Sequence, residues 1–137
     1  IMSDLAAQIN DPFMDCKVIS VYTRAQAIED GMLVDVSKYA KELGFRFPVA
    51  VTKAVWDSCI SWNKDQENAY QDESGRLFDV LWVAMIKAQH TKGSQSNFNI
   101  SCIPRGKMET KTVSLKFYCG PGDQGEPVIT IMLPWED

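Results

Sequence analysis

The hydrophobic period of this chain changes in its C-terminal third, and that change decides its fold class. Over 75–90 the apolar residues recur at helical spacing. Phe78, Leu81, Trp82 and Met85 line one side with Gln89, while Leu77, Val80, Ala84 and Ile86 spread apolar character around much of the rest. A helix of that kind belongs near the centre of its domain. From 98 onward the spacing drops to two. Phe98, Ile100 and Cys102 alternate with Asn99 and Ser101, and Val113, Leu115, Phe117 and Cys119 alternate with Ser114, Lys116 and Tyr118. Both runs read as half-buried antiparallel strands. A turn at Pro104, Arg105, Gly106 and Lys107 sets Phe98 opposite Phe117, Ile100 opposite Leu115 and Cys102 opposite Val113. That register opposes a Cys102–Cys119 disulfide. The run 128–133 is apolar on both faces except at Thr130, as expected of a strand in the middle of the sheet or covered on both sides.

Upstream the signals are mostly helical. Residues 1–16 read as a flexible arm, and 17–22 (KVISVY) as a short strand that adds to the sheet. Thr23 and Gln26 have the capping-box spacing, so a short helix follows and stops at Gly31. After an apolar link at 32–34, Asp35 or Ser37 caps a second helix through Tyr39, Ala40 and Leu43 to Gly44. Pro48 suits the first turn of a third helix, with Val51, Val55, Cys59 and Trp62 on its apolar side. Residues 63–74 are polar and read as a solvated loop in which Tyr70 is the large exception. Helices first and strands last give an α+β fold: one domain over 17–137, with N-terminal helices and a C-terminal, mainly antiparallel sheet of three to four strands on a long apolar helix.

At 137 residues the chain has single-domain length, enough to bury roughly two-thirds of its unfolded surface. It is 45% hydrophobic and 23% charged, a globular composition, and its net charge of −4 argues against a sequence-independent grip on DNA. No apolar run approaches the ~20 residues of a membrane span, so no membrane partner is expected. The opening IMSDLAAQINDPF lacks the basic and apolar regions of a signal peptide. A cytoplasmic location is the expectation. Four cysteines without a C-x-x-C pair, and one histidine, give no zinc spacing. Reduced thiols, no metal and no cofactor are expected. Walker, dinucleotide, nucleophile-elbow and H-E-x-x-H patterns are all missing from the sequence.

Four sets of residues are candidates for function. Asp123 and Glu126 stand three apart in the turn-rich GPGDQGE loop, with Arg105 as a distant basic partner. They read either as a binding loop or acid/base pair, or as a solvated turn chosen for backbone shape. Asp79 sits inside the apolar run 77–82, three residues from Arg76. If buried it has a raised pKa and acts as a site; otherwise it is an exposed or paired acid. The aromatic residues Tyr22, Tyr39, Phe45, Phe47, Trp56, Trp62, Tyr70, Trp82 and Trp135 are mostly core, but Trp135 and Tyr70 are candidate contact residues. His90 ends the long helix, where a cation suits the dipole.

The segments VYTRAQAIEDGMLVDVS and GPGDQGEPVITIMLPWED, with GFRFPVAVTKAVW and GRLFDVLWVA between them, give the chain a further identity. Over 18–137 it resembles a family of small bacterial proteins of unknown function, often carried on plasmids, phages and other mobile elements. The resemblance implies a genomic setting and no catalytic residue. Proteins in that setting often act on host machinery, including restriction or CRISPR defence. The favoured expectation is a non-enzymatic module that works through a protein partner or self-association. Two alternatives stay open. One is a small enzyme built on Asp79, Asp123 and Glu126 with Arg76 or Arg105. The other is a nucleic-acid binder using Arg46, Lys53 and Lys64, or Lys107, Lys111 and Lys116.

Overall fold

The computed structural model describes residues 22–62, 72–103 and 109–136. The arm at 1–16, most of the strand expected over 17–22, Tyr70, and the turn with Arg105 lie outside the described residues.

Local chemistry sets the first elements. The Thr23 hydroxyl accepts a hydrogen bond from the Gln26 backbone N–H (3.0 Å), and the Gln26 side chain accepts one from the Thr23 N–H (2.9 Å). This reciprocal cap starts α1, Arg24–Glu29, and Gly31 ends it at φ 81°. The apolar link that follows is a strand, β1, Leu33–Asp35. The Asp35 carboxylate accepts from both the backbone N–H and the hydroxyl of Ser37, where α2, Ser37–Leu43, begins. Gly44 closes α2 in the left-handed region at φ 109°.

The expected third helix is half strand. Val49–Thr52 forms β2, and helical geometry starts only at Lys53, where the Thr52 hydroxyl accepts from the Val55 N–H. A short α3, Lys53–Val55, then widens into a π-helical turn, Trp56–Ile60. A short apolar run such as Val49-Ala50-Val51 fits a strand buried on both faces as well as a helix. The stripe Val51, Val55, Cys59 and Trp62 is nonetheless buried throughout, so it marks the core across the change of structure. The long helix is α4, Glu73–Gln89, capped by Asp72, which accepts from the Gly75 N–H. Three strands follow: β3, Gln95–Cys102, β4, Lys111–Pro121, and β5, Pro127–Met132.

The sheet is five-stranded in the order β1-β2-β5-β4-β3. All neighbours are antiparallel except β2 and β5, which run parallel with Val49 opposite Ile129. The fold is α+β, with a larger and more mixed sheet than the sequence suggested. The β5 strand holds the central position that its two apolar faces imply. The β3–β4 register is two residues from the expected one: Phe98 faces Leu115, Ile100 faces Val113 and Cys102 faces Lys111. A shift of two keeps every side chain on its face, and Phe98 still meets Phe117 diagonally, with ring centroids 6.3 Å apart.

One buried cluster joins the sheet to the helices. It takes Val49 and Val51 from β2, Phe98 and Ile100 from β3, Leu115 and Phe117 from β4, and Ile129 and Ile131 from β5. Leu77, Val80, Leu81 and Ala84 of α4 belong to the same cluster. On the opposite face α1 approaches β5. The Arg24 guanidinium donates to the Thr130 hydroxyl (2.7 Å) and the Ile129 carbonyl (2.8 Å), so the polar break in the last strand is a docking point. Over β3 and β4 that face is polar and exposed, with Asn97, Asn99, Ser101, Ser114 and Tyr118.

Among the described residues Arg76 is the buried charge, 4% exposed. Its Nε donates to the Ile60 carbonyl (3.0 Å) and its Nη1 to the Ile103 carbonyl (2.7 Å), while the guanidinium lies 4.7 Å from the centre of the Trp62 ring. Burial pulls its pKa below the ordinary arginine value, and the neighbouring Cys102, Cys59, Asp79 and Glu73 oppose that pull.

Candidate functional site

The acidic loop between β4 and β5 is tied to the first turn of α1. The Asp123 carboxylate accepts the backbone N–H groups of Arg24 (2.7 Å) and Ala25 (3.0 Å), the first residues of α1. These two backbone bonds hold the Asp123 carboxyl below the usual carboxylate range, with the charge of Arg24 adding to them. Glu126 accepts from the Gln124 N–H (2.9 Å), and its carbonyl accepts from the Gly122 N–H, closing the turn on itself. Gly125 supplies the positive φ of 82° that this turn requires. A pH dependence follows. A depressed folded pKa contributes stability that is present above the ordinary value of 3.8 and is lost as pH falls through the folded pKa. Asp123→Asn therefore melts below the wild type at pH 7, and the gap closes as the pH is taken below 3.8. A gap that persists unchanged in acid would mean that shape, not charge, holds the loop.

Asp79 is exposed, although it lies in an apolar run. It sits on the rim of a small cavity of about 20 Å³ that also touches Cys59, Arg76 and Cys102. Burial, with Cys102 beside it, pushes the Cys59 thiol up to about 12, where it is a poor nucleophile. Cys59, Cys102 and Cys119 are all free thiols. The three candidate acids do not converge. Asp79 lies by Cys102, which pairs with Lys111 at the start of β4, whereas Asp123 and Glu126 follow the other end of that strand. An eleven-residue strand separates them, a span of roughly 35 Å and far beyond proton-transfer reach.

The basic candidates are similarly dispersed. Lys53 pairs with Asp57 at 2.6 Å, and Lys116 donates to the Glu136 carbonyl at 2.7 Å. Arg46 and Lys111 are exposed, while Lys64 and Lys107 lie outside the described residues. His90 is exposed, with its Nδ1 2.8 Å from the Ile86 carbonyl in the last turn of α4.

The aromatic residues divide differently from expectation. Trp135 is 78% exposed on a pinned turn. The Glu136 carboxylate beside it accepts from the Thr52 hydroxyl (2.7 Å) and the Leu133 N–H (2.8 Å). The larger surface feature is the outer ridge of α4. Phe78 is 50% exposed, Trp82 45% and Ile86 41%, and the Phe78 and Trp82 rings are parallel to within 7° with centroids 6.1 Å apart. The inner face of the helix buries Leu77, Val80, Leu81 and Ala84, so the outer apolar residues have no core left to enter. Grooves run along both flanks. One of about 300 Å³ lies between α2 and α4, lined by Tyr39, Leu43 and Phe78 among others. Another of about 480 Å³ lies between α4 and β3, lined by Val83, Ile86 and Phe98 among others. Further along the helix, Phe47 and Met85 share a third groove of about 410 Å³.

Sequence reasoning assigned Phe78 and Trp82 to the same side as Leu81. The signal that separates them is the i, i+4, i+8 spacing of Phe78, Trp82 and Ile86 against the buried set Leu77, Val80, Leu81 and Ala84. Among the described residues no helix is long and apolar enough to cross a membrane, and no group of three His, Cys, Asp or Glu side chains is placed to hold a metal ion.

A family model described as a family of unknown function (DUF6573) matches residues 9–137. No curated protein and no solved structure matches the chain.

Proposed function

The chain belongs to DUF6573, a family of unknown function, and on that premise we propose that it is a non-enzymatic protein-binding module whose working surface is the outer ridge of α4. The observation that carries this reading is the stacked, half-exposed Phe78–Trp82 pair, extended by Ile86 on a rigid seventeen-residue helix. Contiguous exposed apolar surface of this kind marks interaction sites in soluble domains, and aromatic anchors on a preformed element contribute most of the energy at interfaces. Tyr39, also exposed, lines the α2–α4 groove together with Phe78 and widens the patch. The wide separation of Asp79 from Asp123 and Glu126 weighs against the carboxylate enzyme. We attach to the module the setting that the resemblance implies, an accessory role on a bacterial mobile element directed at host defence such as restriction or CRISPR.

The test is site-specific crosslinking in living bacteria. Ile86 is replaced by a photo-reactive phenylalanine analogue, and the expected result is an adduct of discrete mass that disappears when Trp82→Glu is added. If no protein adduct forms, or if Trp82→Glu leaves its yield unchanged, the ridge is not the binding surface.

A further inference from the structure

Resting on that protein-binding reading, the geometry points to a second copy of this chain as the partner: two α4 helices packed antiparallel about a two-fold axis at Trp82. The ridge is evenly spaced about Trp82 and apolar at all three positions. Phe78 lies four residues before Trp82 and Ile86 four residues after it. A two-fold axis that sets Trp82 beside its mate also sets Phe78 against the Ile86 of the second copy, and the reverse. An isologous contact requires a patch that is complementary to itself, and apolar side chains evenly spaced about Trp82 set apolar against apolar along the whole ridge.

The charges obey the same symmetry. Asp72 and Asp79 precede Trp82, Lys87 and Lys92 follow it, and all four are exposed. Antiparallel pairing brings the acidic half of each helix beside the basic half of the other. A parallel pair would place like charges together. Side-by-side antiparallel helix dipoles, each positive end beside a negative end, favour the same choice. Residues spaced by four form the ridges that interdigitate at an axis separation of about 8–10 Å. The grooves of about 300 and 480 Å³ on the two flanks give the second copy's side chains room to enter.

Sedimentation velocity on the whole chain, from about 5 to 200 µM, tests the proposal. The expected result is a monomer–dimer equilibrium with a Kd on the order of 10 µM. Trp82→Glu weakens it by roughly thirtyfold or more, with an unchanged circular-dichroism melt because the side chain is already half exposed. Asp79→Lys and Lys87→Glu each weaken it by roughly fivefold, and the double variant recovers most of that loss because the two-fold restores opposite charges on facing flanks. A monomer throughout this range overturns the second copy as partner, as does a dimer indifferent to Trp82→Glu. The crosslinking experiment separates this inference from the broader one. An adduct with a different protein overturns the dimer and leaves the binding module standing. An adduct confined within one chain overturns both.

Discussion

Arg76→Ala lowers the stability of this domain by about 4 kcal/mol and its melting temperature by roughly 10–15 °C. The guanidinium donates to the Ile60 and Ile103 carbonyls and covers the Trp62 ring, so one side chain ties the end of the π-helical turn to the end of β3. Truncation leaves two carbonyls short of a donor, at about 1–3 kcal/mol each, and strips the stacking partner from a tryptophan that is only 8% exposed. Arg76→Met separates these contributions. It keeps most of the packed volume and none of the donors, so it recovers roughly 1–2 kcal/mol relative to alanine. Arg76→Lys also falls short, because an ammonium cannot span both carbonyls and lie flat on the ring. Urea melts of the three variants measure the order. If Arg76→Ala costs under about 1 kcal/mol, the buried guanidinium is not the clasp inferred from its contacts.

Leu115→Ala costs about 4–5 kcal/mol, and Leu81→Ala, the same chemical change, about 3 kcal/mol. Both side chains are fully buried. Leu115 sits inside the sheet on β4, paired with Phe98 and in the same core as Ile131. The void left there is walled by strands that cannot move independently. Leu81 borders the groove between α2 and α4, and the exposed rings of Tyr39 and Phe78 beside it have room to settle inward. The cost of a cavity depends on how far its walls relax, so the two sites should rank in that order in denaturant titrations. Equal or inverted losses would show that the α2–α4 groove is as rigid as the sheet.

The sequence was most legible where the signal was local. The Thr23–Gln26 cap, the glycine stops at Gly31 and Gly44, and the alternation in β3 and β4 depend on residues a few positions apart, and each is present in the structure. The β5 strand was also readable as central, because a strand flanked on both sides and covered on both faces has little place for polar residues. Missed features depended on distant partners. The segment 49–52 has no local property that distinguishes a buried strand from a helix; it is a strand because β5 lies parallel to it, with Val49 facing Ile129. Asp123 reads as a possible site, and no local pattern announces that its carboxylate accepts the backbone N–H of Arg24, ninety-nine positions away. The α4 ridge was hidden for a related reason. An all-round apolar helix announces that something covers it, but the amount of core available decides which side stays bare.

The position of β5 has a kinetic consequence. Among the described strands it alone touches both halves of the sheet, taking a parallel ladder from β2 and an antiparallel one from β4. Until it seats, β1–β2 and β3–β4 are separate ladders with no hydrogen bonds between them. Joining β2 to β5 closes a loop that contains most of the chain, and such non-local closure slows folding toward the millisecond-to-second range. During that interval the inner edges of β2 and β4 are open templates for strands of other molecules. Seating β5 therefore ends the exposure of those edges to misassembly, and substitutions that delay its insertion should lower soluble yield before they lower equilibrium stability.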